Sequence, residues 1–103
     1  MLKLYTVRDV QADSFGKIFA FNSEAEAKRT LLQACLDTQT SLGQFPDDYV
    51  LYEIGQYEEH TGVITAQDPT RVITGTEILH QHKQRMEKID SLQNSIDEIK
   101  DEN

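Results

Sequence analysis

The sequence predicts an α+β fold: a small, mostly antiparallel sheet of four or five strands with one packed helix, followed by a long coiled-coil-like C-terminal helix. Three observations predict it. Apolar and polar residues alternate with period two near the N-terminus and again over residues 48–54. Helical spacing replaces that alternation between residues 24 and 38, and a heptad of mainly aliphatic residues, interrupted by His82 and Arg85, runs from Ile78 to Ile99. A period of two reads as strand, 3.6 as a surface helix and 3.5 as a helix built to pair. A chain of 103 residues is long enough for one core, which assigns residues 1–75 to an α+β unit and 76–103 to an amphipathic helix.

Leu2 to Val10 alternates, with Leu4, Thr6, Arg8 and Val10 on one side and Tyr5, Val7 and Asp9 on the other. It reads as a strand, and Lys17–Phe21 as a second, joined by the turn Ala12–Gly16. At Ser23 the period changes. Ser23 and Glu26 have the spacing of a capping box, in which a hydroxyl and a carboxylate satisfy amides left free by the first turn. The helix is expected from about Glu24 to about Thr38, with Ala27, Leu31, Ala34, Cys35 and Thr38 on the inner stripe and Leu32 and Leu36 widening it. Cys35 lies in that stripe, so it reads as a buried, inert thiol.

Residues 38–46 are polar and end in Phe45-Pro46, which reads as a loop. Asp48–Ile54 is a strand that resumes through Tyr57 after Gly55. Glu58–Gly62 is a hairpin loop and Val63–Ala66 the return strand. Asp68-Pro69 predicts a turn, and Arg71–Thr74 a short fifth strand.

From Thr74 the pattern changes once more. Thr74 and Glu77 match a second capping box, and neither Pro nor Gly occurs from Thr76 onward. At 1.5 Å per residue the helix would extend roughly 40 Å. His82, Ile89 and Ile96 take the a positions, and Ile78, Arg85, Leu92 and Ile99 the d positions, flanked by Leu79 and Met86. The stripe either folds back on its own sheet or meets the same helix of another chain. Its narrowness favours self-association, because a globular helix buries a broader face. Ile at a with Leu at d favours a dimer, whereas Ile99 at d weakens that preference.

Composition restricts partners and chemistry. Ten Lys+Arg against eighteen Asp+Glu give a formal net charge of −8. Phosphate backbones are repelled by such a field, so nucleic acid requires a local basic patch. Lys28 with Arg29 and the Lys83/Arg85/Lys88 cluster are the two candidates. The aromatics Tyr5, Phe15, Phe19, Phe21, Tyr49, Tyr52 and Tyr57 could form a base-stacking platform, but they also fit a half-buried sheet. His80 and His82 are two apart and leave a helix in different directions, which argues against a metal pair. There is no Gly-rich phosphate loop, CxxC, nucleophile elbow or HExxH, so no catalytic site, cofactor or metal is expected. No apolar run reaches the roughly 18 residues that a bilayer span needs.

Two stretches go further. Leu4–Val10 with Ser14–Asn22, and Phe45–Val63 with its Pro-Asp-Asp-Tyr…Leu-Tyr-Glu-Ile-Gly strand and Thr-Gly hairpin, resemble the small nonstructural protein of gokushoviruses, single-stranded DNA bacteriophages of the Microviridae. The resemblance covers roughly residues 1–75 and does not include the long helix. It implies a non-capsid protein of the infected bacterial cytoplasm that acts in viral DNA synthesis, with no catalytic or binding residues to carry over. The expected partners are a second copy and a viral or host replication or packaging protein. Single-stranded DNA held by the sheet aromatics with Lys28, Arg29, Lys83, Arg85 and Lys88 is the alternative.

Overall fold

A computed structural model describes residues 1–101, with side chains to Ile96. The expected α+β architecture is present as one antiparallel sheet of four strands: β1 (Leu2–Asp9), β2 (Ser14–Phe21), β3 (Tyr49–Glu58) and β4 (Val63–Thr74), in the order β2-β1-β3-β4. β2 and β3 both run antiparallel to β1. The chain must therefore cross the sheet between them, and helix α1 (Glu24–Leu36) makes that crossing.

The start of α1 has the anticipated chemistry with a displaced partner. The Glu26 amide donates to Ser23 Oγ at 3.2 Å, while the Glu26 carboxylate accepts from the Asn22 amide at 3.1 Å instead of that of Ser23. Ala27, Leu31 and Cys35 face inward, and Leu36, half exposed, lies off the stripe. The helix stops at Leu36, short of Thr38. The polar stretch after it is not all loop: Thr40 caps a single turn of helix, α2 (Ser41–Gln44), by accepting from the Gly43 amide at 3.1 Å. A 3-10 turn, Pro46–Asp48, leads into β3.

No separate fifth strand forms at Arg71–Thr74. The register passes from Glu53↔Thr70 to Gly55↔Ala66, so Gln67-Asp68-Pro69 bulge out of β4 without ending it. β4 is an edge strand, where a proline without an N–H costs no ladder bond. The Gln67 amide group bridges the bulge by donating to Thr70 Oγ1 at 3.2 Å and to the Glu53 carbonyl at 3.4 Å. Gly55 is required opposite it, because a Cβ there would lie 2.4 Å from the Thr65 carbonyl oxygen.

The core lies between α1 and the sheet and contains Tyr5, Ala27, Leu31, Cys35, Leu51, Ile73 and Ile78. Tyr5 is fully buried and its ring packs on Phe21 at 6.0 Å. Its phenol oxygen has no hydrogen-bond partner among the described residues. Burial, with the Glu53 and Glu24 carboxylates adding to it, pushes the phenol up to about 12. A buried hydroxyl without a partner costs stability. Tyr5→Phe is therefore expected to raise unfolding free energy by about 1 kcal/mol in urea titration at neutral pH. The phenol favours the folded state only in its neutral form. Wild-type stability should fall as pH rises from the ordinary tyrosine value of about 10 toward 12, and the Tyr5→Phe variant should lose less over that interval. A stability loss at neutral pH would indicate that the hydroxyl contributes a bond.

Candidate functional site: the root of the long helix, its cleft and its bare stripe

The long helix α3 (Gly75–Asp101) is fixed at its base by four adjacent residues. Gly75 lies against the 3-10 turn, and a Cβ on it would come within 2.5 Å of the Pro46 carbonyl oxygen. The Thr76 hydroxyl hydrogen-bonds the Asp47 carboxylate. Glu77 completes the capping box: its amide donates to Thr74 Oγ1 at 3.0 Å and its carboxylate accepts from the Thr74 amide at 3.3 Å. The same carboxylate pairs with Arg71. Ile78, only 7% exposed, enters the core.

The Arg71 guanidinium and the Thr74 amide hold the Glu77 carboxyl below the ordinary glutamate range. A lowered folded value stabilises above the unfolded value and is lost as pH falls through the folded one. The contribution at the base of α3 is thus complete at neutral pH. It disappears as pH falls below the usual glutamate range. Glu77→Gln should melt at a lower temperature than wild type at pH 7, and the difference should shrink as the buffer is taken through that acid range. A gap independent of pH would separate the cap from its charge.

Once anchored, α3 divides in two. Its first turns lie beside α1, and between the helices runs a cleft of about 270 Å³ lined by Ala25, Lys28, Arg29 and Leu32 from α1 and by Ile78, Gln81, His82 and Arg85 from α3. The fold thus gathers three of the five basic residues singled out from the sequence, with no carboxylate in the lining. Lys28 lies 3.6 Å from Glu24, one turn earlier on α1. Among the described residues, Arg29 and Arg85 have no carboxylate within 4 Å. Lys83 and Lys88 are exposed and lie outside the cleft. His82 is half-buried at the cleft, whereas His80 is exposed and not part of it.

Beyond Arg85 the helix leaves the rest of the protein. The molecule measures 61 × 35 × 21 Å with a radius of gyration of 17.9 Å, against about 13 Å for a compact chain of this length. Met86, Ile89, Leu92 and Ile96 are 43–57% exposed, and among the described side chains of α3 Ile78, with Leu79 beside it, joins the core cluster. The seam drawn from the heptad is therefore split. Ile78 belongs to the chain's own core and is not available to a second copy. His82 and Arg85 face α1 across the cleft. Ile89, Leu92 and Ile96 are bare. The side chain of Ile99 lies outside the described residues.

The aromatic platform is dispersed. Tyr5 is in the core, and Phe19 and Phe21 stack at 6.3 Å on the α1 side of the sheet. Phe15 instead meets Tyr52 edge-on at 5.3 Å, with the Arg8 guanidinium 6.0 Å from its ring. Leu51 enters the core, so its neighbour Tyr52 projects from the opposite face. Burial also pushes the Cys35 thiol above its ordinary value, which leaves it protonated and unreactive. Among the described residues no group of three or more His, Cys, Asp and Glu could hold a metal ion, and no helix is long and apolar enough to cross a membrane.

Comparison with known proteins bears on the same division. The family model described as phage ORF5 protein matches residues 2–78. The chain belongs to the phage ORF5 protein family. The match includes β1 to β4, α1 and the root of α3, and its last residue is Ile78, which lies in the buried core. The bare stripe lies outside the matched residues. No curated protein and no solved structure matches the chain.

Proposed function

We propose that this chain is a non-enzymatic nonstructural protein of a gokushovirus-type phage, that it self-associates through the outer part of α3, and that it regulates viral DNA replication in the host cytoplasm by protein contact. The observation that carries the reading is the aliphatic stripe of Ile89, Leu92 and Ile96, on a helix whose anchored base holds it away from its own sheet. An isolated polar helix of this length is marginal in water, and burying the stripe against another copy would stabilise it. The phage family supports the viral setting. Resemblance to gokushovirus nonstructural proteins supports the replication role and the Microviridae assignment. A viral or host replication or packaging protein is the second partner on this reading.

Ile89→Asp places a charge in the middle of the stripe, far from the core. It should convert a dimer to a monomer in sedimentation equilibrium while leaving the far-ultraviolet strand signal unchanged. The same mass for both proteins would remove self-association through α3.

One observation favours a second reading. The cleft collects Lys28, Arg29 and Arg85 within an acidic chain, and such a patch could hold the backbone of single-stranded DNA. Fluorescence anisotropy with a labelled oligonucleotide separates the two. The protein-contact reading expects no binding even at low salt. Micromolar binding that weakens steeply with salt, and that is lost in Arg29→Glu, would support the second.

A further inference from the structure

We propose that the cleft between α1 and α3 is a docking groove for an acidic amphipathic helix of a partner protein. The proposal rests on the protein-contact reading and names the chemistry of that contact. The shape of the cleft, its charge and the placement of the aromatic rings point to it.

Shape comes from the two walls. On α1 the cleft is lined by Ala25, Lys28, Arg29 and Leu32, spaced i, i+3, i+4 and i+7, and the α3 wall repeats that spacing from Ile78 to Arg85. Each wall is therefore one face of a helix over two turns, about 10 Å long. A groove between two helical faces takes the side-chain ridge of a third helix, with anchors one turn apart. Leu32, half-buried, and Ile78, buried, give it apolar surface from opposite walls. A volume of about 270 Å³ holds one or two aliphatic side chains of such a helix.

Charge selects what flanks those anchors. Arg29 and Arg85 are exposed, stand on opposite walls and have no carboxylate within 4 Å among the described residues. Lys28, by contrast, is partly neutralised by Glu24 at 3.6 Å. A guanidinium matches a carboxylate through two parallel hydrogen bonds. A helix with an acidic residue one turn to either side of its aliphatic anchor presents one carboxylate to each wall. The rest of the chain, at a net charge of −8, repels such a helix, which directs it to this groove.

The rings separate a protein segment from single-stranded DNA. Grooves that track single strands combine cations with aromatic faces on which the bases stack. Among the described residues no Phe or Tyr lines the cleft. Phe19 and Phe21 line a different cavity, with Thr30 and Ala34 on the other flank of α1, and Phe15 meets Tyr52 across the sheet. Aliphatic side chains between two guanidinium groups offer bases nothing to stack on, and they suit a leucine between two glutamates.

Fluorescence anisotropy on the full chain tests the groove. The probe is a labelled, alanine-rich helix of about 15 residues, with two leucines one turn apart and a glutamate one turn to either side. It should bind with micromolar affinity, and its glutamine counterpart about tenfold more weakly. Arg29→Glu with Arg85→Glu should weaken the acidic probe about tenfold with unchanged strand signal. Lys83→Glu with Lys88→Glu makes the same change in net charge at exposed positions outside the cleft and should leave binding as it was. Equal loss in both variants, or equal binding of the glutamine probe, would overturn the proposal. Binding of neither helix nor oligonucleotide would overturn the groove and leave protein contact through another surface standing. Oligonucleotide binding without helix binding, lost in the Arg29 and Arg85 variant, would assign the cleft to nucleic acid and overturn both.

Discussion

The attachment of α3 at Gly75–Ile78 is the constraint from which the remaining architecture follows. A glycine pressed against the Pro46 carbonyl, a hydroxyl on Asp47, a capping box completed by Glu77 and one isoleucine in the core fix the direction in which the helix leaves the sheet. Each contact is local and modest, but all four act within a single helical turn. That direction brings the next two turns alongside α1, which creates the cleft, and carries Met86, Ile89, Leu92 and Ile96 into solvent, which leaves the stripe bare. The family match stops at Ile78, so the attachment belongs to the shared unit and the exposed stripe to the part beyond it.

An acidic chain with a cationic cleft has an internal asymmetry. Most of its basic residues near the sheet are locally neutralised: Lys3 by Glu53, Arg8 by Asp13, Arg71 by Glu77. Arg29 and Arg85 are not. Charge left uncompensated at a concave, partly apolar surface suits an anionic partner more than it suits fold stability, since exposed pairs add little to stability.

Much of this was legible in the residues. Both capping boxes follow from Ser/Thr-x-x-Glu spacing, and the buried face of α1 follows from Ala27, Leu31 and Cys35. What escaped is long-range. The bulge that carries β4 through Asp68-Pro69 depends on Gln67 reaching across to Glu53, a contact that no local pattern reveals. The turn of helix at Ser41–Gln44 is too short to show a period, and its cap, the Gly43 amide donating to Thr40 Oγ1, lies in a stretch whose polarity reads as loop. The cleft joins Arg29 to Arg85, which lie on different helices. The one available signal was that His82 and Arg85 interrupt an otherwise aliphatic seam, and they do so at the positions where α1 takes the place of a partner helix.

Hydrogen exchange along α3 as a function of protein concentration tests the account most directly. Amides from Met86 to Ile96 should become slower to exchange as concentration rises, while those of β1 and α1 keep a constant rate. Exchange of the α3 amides at a rate independent of concentration would mean that the stripe stays bare, and the self-association account would be wrong.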